Sequence, residues 1–157
     1  MSRSRGFTLI ELLIVAAVIA VLAGLLLPAV MGAWRSAKVS EAERRLATLS
    51  LAITCYAKDR GIEPPGDGRG SRALAAALAE AGPRNGPYYL AGPEELTADG
   101  DFRNPAQEDA PLNAIHYRRN AGPAGPRAGQ PPVRPGVAFD LWCAGLDPAR
   151  PWALRAP

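Results

Sequence analysis

The sequence predicts an α+β fold in which one long N-terminal helix packs against a small antiparallel sheet with long loops. Three observations predict it. From Phe7 to Trp34 the chain is almost wholly apolar and carries a single charge, Glu11. Behind that run, Val39, Ala42, Leu46, Leu49, Ile53 and Tyr56 recur at three- and four-residue spacing, the period of one buried helix face. The remainder is loop-rich, in a chain with 16 glycines and 16 prolines among 157 residues, and only two short segments there read as strands.

The first element, Phe7 to Trp34, is long enough to cross a bilayer core of roughly 30 Å. Arg3 and Arg5 precede it, which predicts a cytoplasmic N-terminus by the positive-inside rule. The helical pattern does not stop at the membrane. Lys38, Glu41, Glu43, Arg44 and Arg45 fall between the apolar positions, so residues 35–60 read as the amphipathic half of the same helix, ending near Lys58. The charged face is expected to be solvated. Pro28 lies in mid-helix beside Gly24 and Gly32. In a soluble helix interior a proline costs about 3 kcal/mol, whereas membrane helices tolerate it, and a bend is expected there.

Residues 61–157 form the globular part. Gly61 to Gly70 breaks the helix, and Ser71 to Ala81 reads as a short helix with Ser71 as N-cap and Gly82-Pro83 as its end. Leu74 and Leu78 share one face of it. Asn85 to Asp109 is irregular. Ala114 to Arg119 reads as a strand, Asn120 to Gly136 as a Pro/Gly-rich connection, and Val137 to Cys143 as the clearest strand, with Val137, Phe139, Leu141 and Cys143 on one face. The two strands make a hairpin with a long loop, lying against the amphipathic half of the first helix.

Charge and motif content exclude several functions. The net charge is +3, with no basic stripe of interleaved aromatics, so no nucleic-acid partner is expected. No Ser/His/Asp arrangement, phosphate loop or paired-carboxylate site stands out, and His116, Trp142 and Trp152 read as structural residues, so an enzyme is not expected. Cys55 ends the amphipathic helix and Cys143 lies in the strand expected to cover it. In an oxidising compartment the pair is expected to form a disulfide, worth a few kcal/mol to a small domain.

A basic leader before an apolar run also fits a signal anchor or a cleaved secretory signal. Glu11 fits neither, because a charge inside such a segment is costly and usually has a partner. Arg5-Gly6-Phe7-Thr8-Leu9-Ile10-Glu11-Leu12 resembles the class III signal of type IV pilins and of the pseudopilins of type II secretion. The resemblance implies a leader of residues 1–6, cleavage between Gly6 and Phe7 by prepilin peptidase, and N-methylation of Phe7. It also implies that Glu11 pairs with the terminal amine of a neighbouring subunit during assembly, and that the helix bends or melts at Pro28 inside the filament.

Weaker likenesses continue along the chain. Gly86-Pro87-Tyr88, the stretch from Asp101 to Pro105, the strand bearing Tyr117, and Phe139 to Asp147 resemble the major pseudopilin of type II secretion. That family binds calcium in the loop before and around its last strands, so the resemblance implies Asp99, Asp101 and Asp147 as ligands, helped by carbonyls near Leu96. The sequence departs from the pattern at Phe102-Arg103, Cys143 and Pro148, which makes a poorer cation site. Turn-forming aspartates are the competing explanation. The implied function is a structural subunit of a secretion pseudopilus, held in the inner membrane with a periplasmic domain. It would polymerise with its own kind and with other pseudopilins on an inner-membrane platform. A type IV pilus subunit is the alternative.

Overall fold

The computed structural model describes residues 7–83, 86–107, 112–120, 130–134, 136–146 and 154–156. The chain is α+β, with a long N-terminal helix and a small antiparallel sheet, as the sequence predicts. Helix α1 spans Leu9–Arg60 and continues through Pro28. The chain divides into two compact units, Met1–Ala37 and Lys38–Pro157.

In the first unit every described residue except Ala23 is exposed. None of the described apolar stretch is buried. It is long and apolar enough to cross a membrane.

In the second unit α1 buries Ala42, Leu46, Leu49, Ala52, Ile53 and Tyr56. The expected stripe holds, with Val39 only half-buried and Ala52 added beside Ile53. Helix α2, Arg72–Ala79, contributes Leu74, Ala77 and Leu78 to the same core. A single 3-10 turn follows at Pro93–Glu95. Strands β1 (His116–Arg119), β2 (Phe139–Cys143) and β3 (Leu154–Arg155) form one sheet in the order β1-β2-β3. Both pairings are antiparallel, with His116 opposite Trp142 and Cys143 opposite Leu154. Tyr117, Leu141 and Cys143 point into the core against α1 and α2.

Four expectations need correction. The Cys55–Cys143 bridge is not formed: both cysteines are free, Cys55 exposed and Cys143 buried. At about 100° per residue, Cys55 lies off the stripe that runs through Leu49, Ile53 and Tyr56, so its sulfur cannot face the strand. Burial, reinforced by the charge of Glu43, pushes the Cys143 thiol up to about 12. Ser71 holds the expected N-cap position but makes no side-chain capping bond; the capping carboxylate is that of Asp101. Strand β2 does not alternate buried and exposed, because Asp140 and Trp142 on its other face are buried too. Finally, Arg45 is not simply solvated. Its guanidinium donates to the Arg103 carbonyl (3.1 Å) and lies 3.6 Å from Glu95, tying α1 to the 3-10 turn. Most of the Asn120 to Gly136 connection, and Trp152, lie outside the described residues.

Candidate functional site

The site begins where α1 begins. Thr8 precedes the first helical residue, and the Leu12 amide donates to the Thr8 carbonyl to close the first turn (3.3 Å). The Thr8 hydroxyl accepts the Glu11 amide (3.3 Å), while the Glu11 Oε2 accepts the Thr8 amide (3.0 Å) and the Thr8 hydroxyl (2.8 Å). This is a capping box, in which side chains three residues apart satisfy backbone donors that a helix start otherwise leaves open. Glu11 thus has a structural partner within its own chain. Both bonds fall on Oε2, so among the described residues Oε1 accepts no hydrogen bond. A carboxylate held at a helix N-terminus also sits at the favourable end of the helix dipole. Phe7 stands just outside the helix and is exposed, while Gly6 lies outside the described residues. Thr8 is the residue an emphasis on Glu11 alone misses, and its signal is present in the Thr-x-x-Glu spacing.

The geometry is that of a fixed, solvent-facing acid at the head of an unburied apolar helix. Residues 1–27 match the family model for the prokaryotic N-terminal methylation motif. The match covers the N-terminal segment alone, and the motif is of the type IV pilin-like kind. No curated protein and no solved structure matches the chain significantly.

The second candidate is the loop expected to hold calcium. Asp101 Oδ1 accepts the backbone amides of Ser71 (2.5 Å) and Arg72 (2.7 Å), so it caps α2 from thirty residues away along the chain. Ser71 returns the favour: its hydroxyl accepts the Phe102 amide (2.8 Å). The two segments are pressed together, and a Cβ at Gly70 would collide with the Asp101 carboxylate. Asp99 is largely exposed, its carboxylate 4.0 Å from the Arg72 guanidinium and its carbonyl accepting from Arg72 Nε. The Leu96 carbonyl accepts from Arg103 (3.1 Å). Asp147 lies outside the described residues. Among the described residues no three acidic, histidine or cysteine side chains gather as metal ligands. Calcium asks for six to eight oxygens, and Asp101 Oδ1 and the Leu96 and Asp99 carbonyls already serve the protein's own donors. These residues do not fit the ion.

The outer face of the sheet holds a cluster with no counterpart in the expected sites. Asp140 is fully buried and receives Arg118 from β1 (2.7 Å), Arg134 (3.0 Å) and Arg155 from β3 (2.5 Å). Burial raises its pKa, but the hydrogen bonds from Arg118, Arg155, Asn120 and Arg134 outweigh it and hold the acid below the usual carboxylate value. The same arginines bind residues 130–134. Arg118 donates to Gln130 and to the Pro131 carbonyl, and Arg155 to the Pro132 carbonyl. Arg118 also lies over the Trp142 ring, on which His116 stacks. Burial lowers the pKa of His116, keeping it neutral. The cluster is architectural, joining all three strands and the 130–134 segment through one carboxylate.

Proposed function

We propose that the chain is a structural subunit of a type II secretion pseudopilus, which polymerises through its N-terminal helix to drive folded proteins across the outer membrane. The observation that carries the reading is the methylation motif heading an apolar helix with no buried residue before Ala42. Burying that surface among neighbouring helices supplies the cohesion, at roughly 25 cal/mol per Å² of apolar area. Prepilin peptidase cleaves between Gly6 and Phe7, and Phe7 is then methylated. The protein sits in the inner membrane with residues 7–34 spanning it, and residues 61–157 lie in the periplasm. Glu11, steadied by Thr8 through Oε2, offers Oε1 to the terminal amine of the next subunit. Opposite charges in a low-dielectric setting attract strongly, and each is costly alone. Pro28 supplies the point at which the helix bends or melts once packed in the filament.

A second reading, a major or minor type IV pilus subunit, is favoured by the occupied oxygens of the 96–103 loop, which depart from the calcium loop that the pseudopilin resemblance implies. Deleting the gene separates the two. Accumulation of secreted proteins in the periplasm with surface pili intact supports the pseudopilus. Normal secretion with loss of pili, twitching or DNA uptake supports the pilus subunit and refutes the first reading.

A further inference from the structure

We propose that Arg72 and Arg103 serve the 96–103 loop in the role a bound divalent cation would fill, so that this subunit folds without one. A loop that turns carbonyls and carboxylates towards one another needs positive charge to hold it closed. Here that charge is covalently attached. Arg103 donates to the Leu96 carbonyl across the base of the loop, where Leu96 and Phe102 form an isolated antiparallel bridge. Arg72, the first residue of α2, donates to the Asp99 carbonyl at the tip and lies 4.0 Å from the Asp99 carboxylate. Between them the loop closes on itself. The Thr97 amide donates to the Asp101 carbonyl (2.8 Å), and Gly100, at φ +83°, makes the tight turn.

Three of the oxygens a cation could recruit here are already used. Asp101 Oδ1 takes two backbone amides, and the Leu96 and Asp99 carbonyls each take a guanidinium. A divalent ion placed among them would displace those donors and sit against two fixed positive charges. Guanidinium does not deprotonate in proteins and presents several donors in a rigid fork, so it can span two acceptors as a metal does. Unlike a metal, it is not lost to dilution or to a chelator.

The test uses the full chain in detergent micelles, with thermal unfolding of the globular unit followed by near-ultraviolet circular dichroism. Two conditions are compared: about 10 mM calcium chloride, above the range in which weak extracellular sites fill, and an equal excess of EGTA. The expected melting temperatures agree within about 1 °C. A calcium-dependent rise of more than about 5 °C, the signature of a ligand that binds only the folded state, overturns the proposal and points to recruitment through Asp147. Arg103→Ala and Arg72→Ala are each expected to lower the melting temperature by about 3–6 °C in both conditions alike. No change in either variant would equally overturn it, because the arginines would then not be holding the loop. The wild-type comparison stands even if a variant fails to fold.

Discussion

The two halves of α1 have the same backbone and opposite dependencies. Between Phe7 and Ala37 no residue is buried, and among the described residues the Thr8–Glu11 box fastens its start. From Ala42 to Tyr56 the helix buries one stripe in a core shared with α2 and the sheet, and Arg45 ties it to the 3-10 turn. The second half is therefore specified by contacts within its own chain. The first half leaves its apolar surface exposed. A change in one half should leave the other's property intact, and that separation can be tested.

The largest effect belongs to assembly. Glu11→Ala should be inserted and processed normally but should lower filament yield by more than about tenfold. On the proposed pairing, leaving the neighbouring subunit's buried amine unpaired would cost about 3–5 kcal/mol. Comparing sheared filaments with total membrane-bound subunit measures it, and wild-type yield would break the comparison. Asp140→Asn comes next. Removing the one carboxylate that Arg118, Arg134 and Arg155 share should destabilise the globular unit by about 3–5 kcal/mol in denaturant titration. The sign of its pH dependence follows from its lowered pKa. The unfolded state binds the proton more readily, so the contribution is complete above about 4 and is lost as pH falls through the lower folded value. His116, kept neutral by burial, adds a shallower decline that begins as pH drops below about 6.5.

A Leu46→Ala change should cost about 2–5 kcal/mol in the same titration, with membrane insertion unaltered, whereas Leu22→Ala should leave that titration unchanged. A shift with Leu22→Ala would show that the halves are coupled. The smallest effect is expected at the cap. Thr8→Ala should loosen the first turn by about 1 kcal/mol, seen as faster amide hydrogen exchange at Glu11.

How much of this was legible in the sequence depended on whether a feature is local. The buried stripe of α1 follows from its helical period, and only the small Ala52 escapes it. Helix α2 and strands β1 and β2 follow from apolar spacing bounded by Gly and Pro, and the N-terminal motif is contiguous. The Thr8–Glu11 box is equally local, and its spacing is readable. What stays hidden depends on segments meeting across the fold. Asp101 reads as a possible ligand because nothing nearby in sequence announces that it caps α2. Asp140 reads as an outward-facing strand residue because its arginines come from β1, β3 and residue 134. Strand β3, two residues long, has too little pattern to register. The cysteine pairing fails for a related reason: closeness of two elements does not fix which side of a helix a thiol faces.

The Asp140 cluster also sets how unevenly the chain can tolerate change. Three arginines converge on one acid, so loss of any single arginine leaves two to neutralise it and to hold residues 130–134. Loss of the acid leaves all three without a counter-charge at once. Drift in a lineage of such subunits should therefore wander through the arginine positions while codon 140 stays fixed.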